Sequence, residues 1–365
     1  MKILLLDNSS LTPCGNGYCV EPKTGAFTVE LQDKGNKITI YGQKESAVDT
    51  VHTFSLTENN INVSGLKRKR NKLLNYVLLY LRIIPEIFKA NFVYIFYPTS
   101  FKYIPLLCWI FRKKFGLYVR GMNGIEDTIS VWNYKKAFTI FTVSDFFTSM
   151  INNKINKNKA HTIKPMIPFS EKDVMFNREY NNSKKTSILF LGRLVHDKGI
   201  AELLKAAQIL NHKAYDFELN LVGSGEFLQK AKQLIQEYSI DDIVFVRGAV
   251  FEPEEVKSYY INAHLYVLPT YHEGFPRTLY EAMIFGTPII TTFVGGIPTL
   301  MKDGFNCKEI NPKSVESIVE GLEFAINNYH KMTEFAKNGT ALVTKIVDGN
   351  RPTHAEHLNK LLNHQ

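Results

Sequence analysis

Four charged side chains in the later half of the chain have the types and spacing to hold a diphosphate: Arg193, Lys198, Glu273 and Glu281. The two acids lie in His272-Glu273-Gly274-Phe275-Pro276-Arg277-Thr278-Leu279-Tyr280-Glu281-Ala282-Met283, with seven residues between them. Before them, Leu265-Tyr266-Val267-Leu268 is short, β-prone and stopped by Pro269, so it reads as a buried strand. A helix is expected from Pro276, where the missing proline N–H costs nothing, and Gly286 with Pro288 should end it. Glu281 then lies inside the helix and Glu273 in the loop before it. Such a loop puts bare N–H groups and the positive end of a helix at the carboxyl edge of a strand, a place that suits an anion. Arg193 closes another strand, Ile188-Leu189-Phe190-Leu191-Gly192, and Lys198-Gly199 opens the helix after it. Two cations placed there can neutralise a diphosphate, and the arginine fork matches phosphate oxygens. A plainer reading makes the glutamates solvated residues of an amphipathic helix and Arg193 half of a surface ion pair.

The elements that must position these residues alternate between short apolar runs and helical stretches. This pattern predicts α/β units with parallel sheets. In the first half, residues 2–6, 38–41, 92–97, 117–120 and 137–143 read as strands. Residues 8–25, with Gly15, Gly17, Pro13 and Pro22, read as a glycine-rich loop before a helix over 26–34. That loop has no G-x-G-x-x-G spacing, which argues against a dinucleotide fingerprint. Polar, irregular sequence around residues 168–185 reads as a linker. The expected domains are residues 1–167 with a returning helix in 346–365, and residues 186–345. At 365 residues the chain exceeds one ordinary core.

Charge is divided unevenly along the chain. The total is +9, yet residues 1–165 hold 23 Lys and Arg against 11 Asp and Glu, while the remainder holds 21 against 24. A basic half calls for an acidic surface. Lys67-Arg68-Lys69-Arg70 leads into the apolar run 73–84, and residues 101–114 repeat the mixture of apolar, aromatic and basic side chains. These stretches fit helices lying in an anionic membrane interface, or helices that cover a sheet and begin in solvent. Nucleic acid is not expected, because there is no zinc-ligand spacing, RNP-type aromatic motif or basic region before heptads. The four cysteines, Cys14, Cys19, Cys108 and Cys307, show no paired CxxC spacing and read as reduced thiols. The start of the chain lacks a cleavable signal pattern, and no uncharged apolar stretch is long enough to span a bilayer. The expected location is therefore cytoplasmic, peripheral on the inner face of a membrane.

The run Glu273-Gly274-Phe275-Pro276-Arg277-Thr278-Leu279-Tyr280-Glu281, with Gly286-Thr287-Pro288 and Gly295-Gly296 after it, resembles the signature of the family 4 retaining glycosyltransferases. Gly192-Arg193-Leu194-Val195-His196-Asp197-Lys198-Gly199 is similar to the same family's other motif. The resemblance implies a GT-B fold, two Rossmann-like domains facing across a cleft. It implies transfer of a hexosyl or N-acetylhexosaminyl group from a nucleoside diphosphate sugar, UDP rather than GDP, to a saccharide or lipid-linked saccharide. By that likeness Glu281 would bind the ribose, Glu273 the transferred sugar, and Arg193 with Lys198 the departing diphosphate. Gly274 and the amides of Phe275, Pro276, Arg277 and Thr278 make up the loop at the diphosphate. Gly223 and Gly225 would let backbone approach the phosphates or the base, and Val250 would lie near the base. On the acceptor side the likeness points to Asn16, Gly17, Arg120 and Asn123. The family's histidine after the strand ending at Arg120 has no counterpart in Arg120-Gly121-Met122-Asn123. There is no Asp-x-Asp, so no metal and no other cofactor is expected. Two other classes fit parts of this pattern: a nucleotide-sugar epimerase of the same fold, and a non-catalytic scaffold binding nucleotide or membrane.

Overall fold

The computed structural model describes all residues except 8–9, 48–51, 70, 99, 121–123, 181–184, 351 and 364–365. Asn123 thus lies outside the described residues. The chain divides into two compact units, Met1–Met166 with Pro352–Gln365, and Ile167–Arg351.

In the first unit the strands are Lys2–Leu6 (β1), Thr12–Cys14 (β2), Gly17–Val20 (β3), Lys37–Lys44 (β4), Phe54–Ser55 (β5), Asn62–Lys67 (β6), Phe92–Tyr97 (β7), Lys114–Val119 (β8), Thr139–Thr142 (β9) and Ala160–Thr162 (β10). Its helices are Pro22–Asp33 (α1), Lys72–Lys89 (α2), Ile104–Ile110 (α3), Thr128–Lys136 (α4) and Asp145–Ile155 (α5). Among the described residues a parallel sheet has the order β10-β9-β8-β7-β1-β4-β6. Because side chains alternate along a strand, β1 feeds both faces. Ile3 and Leu5 enter one core, and Leu4 and Leu6 the other.

The second unit contains Thr186–Leu191 (β11), Phe217–Val222 (β12), Val244–Gly248 (β13), Leu265–Leu268 (β14), Ile289–Thr292 (β15) and Lys308–Ile310 (β16). Around them lie Ile200–His212 (α6), Leu228–Glu237 (α7), Pro253–Asn262 (α8), Arg277–Ile284 (α9), Val315–Asn327 (α10) and Tyr329–Val347 (α11). The sheet order is β13-β12-β11-β14-β15-β16, all parallel, so every strand's carboxyl end lies on one edge. The order reverses between β11 and β14. In open α/β sheets that reversal leaves the crevice where ligands bind.

The final helix, His354–Asn363 (α12), belongs to the first unit. Ala355, Leu358 and Leu362 enter that unit's core, and Asn359 accepts a hydrogen bond from Asn36 at 2.9 Å. His354 is fully enclosed there, its Nε2 2.5 Å from the Tyr94 hydroxyl and its ring stacked on Phe27.

Several expectations are corrected. Residues 168–185, expected as a linker, belong to the second unit. The Arg178 guanidinium donates to the carbonyls of Tyr260, Ile261, Ala263 and Phe285 at 2.5–3.1 Å and to the Thr287 hydroxyl at 2.8 Å. A cation at the carbonyl ends of α8 and α9 meets their negative poles, which ties the irregular segment down. The chain returns to the first unit at residue 352, not 346, because α11 continues to Val347. The expected glycine-rich loop contains the hairpin β2–β3, which pairs with β5. That hairpin sets Cys14 and Cys19 a Cα distance of 5.7 Å apart and they form a disulfide, so only Cys108 and Cys307 are free thiols. Cys14 and Cys19 are five positions apart in sequence, and the antiparallel hairpin brings them together. α1 begins at Pro22 rather than at residue 26.

Candidate functional site

The two cations and two acids singled out by sequence all lie in the second unit, on the loops and helix that follow β11 and β14. Lys198 ends a 3₁₀ turn, His196–Lys198, after β11, and Glu273 lies in the loop after β14. Lys198 Nζ and Glu273 Oε1 form an ion pair whose side chains are only 11% and 17% exposed. Partly dehydrated charges of this kind are costly unless paired, so each holds the other in place. Arg193, at the end of the same strand, is exposed and makes no ion pair among the described residues.

The Glu273 loop is held from both sides. The Tyr271 N–H donates to the Asp197 carbonyl at 2.7 Å, which ties it to the Lys198 turn. On the other side Gly295, at φ +57°, comes so close that a Cβ there would lie 1.8 Å from the Glu273 carbonyl oxygen. Thr292 also donates to the Thr270 carbonyl at 2.7 Å. The loops after β11, β14 and β15 therefore lie in the same order as their strands.

Gly274, Phe275 and Pro276 are buried, and Phe275 packs its ring on Tyr280 with centroids 4.5 Å apart. α9 starts at Arg277, not at Pro276, because Pro276 keeps an extended ψ of 130° and occupies the N-cap. Arg277 and Thr278 then form the first turn, at the positive pole of the helix. Glu281, one helical turn on, is 6% exposed and accepts a hydrogen bond from the Tyr260 hydroxyl at 3.0 Å. Burial, and next the Glu281 charge, push the Tyr260 hydroxyl well above its ordinary pKa, so it remains a donor. Burial and a hydrogen bond to Glu202 likewise raise Tyr271.

Gly223 and Gly225 allow a close approach between neighbouring loops. Their positive-φ backbones pack on the Arg193 loop, where a Cβ would lie 1.8 Å from the Gly192 oxygen and 2.3 Å from the Leu194 oxygen. Leu194 N donates to Ser224 O at 2.8 Å, and Gly223 N to Gly248 O at 2.7 Å. These glycines let three neighbouring loops lie backbone to backbone. Val250 follows β13 and is half-buried against the second unit's core.

The acceptor-side residues belong to the first unit. Asn16 is exposed in the β2–β3 turn and Gly17 begins β3, facing Thr57. Arg120 follows β8. Its guanidinium lies over the Phe96 ring at 4.6 Å and 3.6 Å from the buried Asp7 carboxylate. Tyr260, Tyr271 and Arg178 were missed by sequence reasoning. Tyr260 reaches Glu281 from another helix, and no spacing pattern announces it. The described residues contain no group of three His, Cys, Asp or Glu that could hold a metal ion.

Residues 171–342 match the family model described as glycosyl transferases group 1. All of the matched residues lie in the second unit. An uncharacterised glycosyltransferase of Haemophilus influenzae is 36% identical over 146 residues, 39% of this chain and 40% of that protein. The capsular polysaccharide biosynthesis glycosyltransferase CapM of Staphylococcus aureus is 30% identical over 157 residues, 41% of this chain and 39% of that one. The chain thus spans about two-fifths of the length of these relatives. The crystal structure of Anabaena HepE in complex with UDP covers all of this chain and 99% of its own, with a TM-score of 0.71 and 15% identity. At that identity the likeness concerns the fold, which is GT-B. Arg193, Lys198, Glu273 and Glu281 all lie within the matched residues.

Proposed function

We propose that the chain is a retaining family 4 transferase that moves a hexosyl or N-acetylhexosaminyl group from a nucleoside diphosphate sugar, UDP rather than GDP, to a saccharide acceptor. The acceptor is lipid-linked, and the product serves surface polysaccharide or glycolipid synthesis. One observation carries this reading: the enclosed Lys198–Glu273 pair stands at the reversal point of the second sheet, beside a helix that buries Glu281. UDP in the HepE crystal and the capsular role of CapM support the donor and the product class.

Lys198 and Arg193 would take the diphosphate, together with the first-turn amides of Arg277 and Thr278. Glu273 would accept hydrogen bonds from the sugar hydroxyls, and Glu281 from the ribose. As the sugar C1–oxygen bond breaks, both electrons go to the diphosphate, and fixed cations there lower the barrier without reorganising. The acceptor oxygen bonds to C1 and its proton passes to a departing phosphate oxygen, so no metal is required by the scheme.

The test is turnover of UDP-sugars with Lys198→Ala, Glu273→Ala and Glu281→Ala, beside binding of UDP alone. Loss of turnover in the first two and weaker UDP binding in the third are expected. Unchanged kinetics in all three would overturn the assignment, and conversion of donor sugar without acceptor would favour an epimerase.

A further inference from the structure

α2 and α3 in the first unit leave an apolar face uncovered. α2 is apolar on two sides. Leu79, Ile83 and Ile87 enter the core, whereas Leu73, Val77, Leu81 and Phe88 form a separate stripe that is 76%, 48%, 57% and 54% exposed. Those four stand at helical spacing on one side, since positions four or seven apart fall on the same face. α3 adds Leu106, Trp109 and Ile110, all exposed, next to α2. Monomeric proteins seldom leave so many large apolar side chains contiguous, and such patches mark contact surfaces.

Charge selects the occupant. Glu86 is the only acid in the two helices, and it pairs with Lys89. Lys69, Arg82, Lys89 and Arg112 are exposed around the stripe, and Lys136 extends over the Trp109 ring at 5.6 Å. Apolar stripe, interfacial tryptophan and basic rim are the components of a surface that lies in the headgroup region of an anionic bilayer. No described helix is long and apolar enough to cross a membrane, so the contact would be peripheral.

We infer that the α2–α3 face is a docking surface for anionic lipid, with Leu73, Val77, Leu81, Phe88, Trp109 and Ile110 entering the interface. It deepens the acceptor side of the proposed function by placing this unit where a lipid-linked saccharide resides. It uses only side chains of the first unit, so its failure would leave the donor site untouched.

The experiment is co-sedimentation of the full chain with phosphatidylcholine vesicles, with and without phosphatidylglycerol, at low and high salt. Binding is expected to need the anionic lipid and to weaken with salt. Leu81→Glu with Trp109→Glu should lower the partition coefficient at least about tenfold, with UDP binding unchanged and the melting temperature little changed, because both side chains are more than half exposed. Phe176→Glu with Phe305→Glu, exposed apolar residues of the second unit, should leave vesicle binding as it was. Equal binding by the Leu81/Trp109 variant and the native chain would overturn the inference. So would a native dimer in sedimentation velocity that dissociates on the same substitutions, since the face would then belong to a second copy.

Discussion

Lys198 and Glu273, 75 residues apart in sequence, meet as a nearly enclosed ion pair at the carboxyl edge of adjacent strands β11 and β14. Removing one partner leaves the other charge buried and uncompensated. Lys198→Met should therefore cost about 3 kcal/mol of stability, while adding Glu273→Leu should restore much of it. Turnover should fall at least about 100-fold in both variants, since the double substitution repairs packing and not the charge at the diphosphate. Urea denaturation beside steady-state kinetics checks this. A double variant that recovers activity as well as stability would show that the pair is structural alone.

Tyr260 sets the position of Glu281. Tyr260→Phe removes the donor to a buried carboxylate and should cost about 1.5–3 kcal/mol, the range for hydrogen bonds to charged groups. If Glu281 binds ribose, KM for the donor should rise several-fold with a smaller change in kcat. A lower kcat at constant KM would place the pair in the chemical step.

Gly295 and Gly304 provide a matched comparison. Both have left-handed backbones, at φ +57° and +69°, but a Cβ on Gly295 meets the Glu273 carbonyl whereas one on Gly304 meets nothing within 4 Å. Gly304→Ala should cost only the left-handed penalty, about 1–2 kcal/mol, with activity kept. Gly295→Ala should cost more and depress turnover, because the loop carrying Glu273 must move. Equal effects in thermal melts and in turnover would remove the claim that Gly295 fits this loop.

His354 predicts acid sensitivity of the first unit. Burial, then His357 and Arg120, push its pKa from 6.5 down to about 3, and burial also lowers His161 and His357. The unfolded chain then binds more protons than the folded one between those values. Stability is complete above pH 6.5 and is lost as pH falls toward 3, reaching about 2 kcal/mol from His354 at pH 5. His354→Phe should flatten that part of the profile, because phenylalanine keeps the stacking on Phe27 and cannot be protonated. Denaturant midpoints from pH 7.5 to 5 give the comparison, and parallel profiles for the two proteins would count against it.

The signals legible in the sequence are those that act over a few residues. The breakers around β14, the glycine at 286 and the apolar strand runs placed Glu273 in a loop, Glu281 in a helix and Arg193 at a strand end. Alternation of strand and helix was enough for the α/β class, since each unit needs neighbours to bury its faces. The small errors were local too: Pro276 caps α9 instead of starting it, and α1 begins earlier, because helix ends depend on backbone angles that composition only biases.

What tertiary structure alone decided is adjacency. Sheet order put the β11, β14 and β15 loops side by side, so that Lys198 meets Glu273 and Gly295 meets the Glu273 backbone. Glu281 gains Tyr260 from another helix, Arg178 anchors a polar segment that composition marks as a linker, and the β2–β3 hairpin joins Cys14 to Cys19. Periodicity along a chain records which face of an element is apolar, but not which element will cover it. On α2 it left that question visible at the surface, where Leu73, Val77, Leu81 and Phe88 remain exposed.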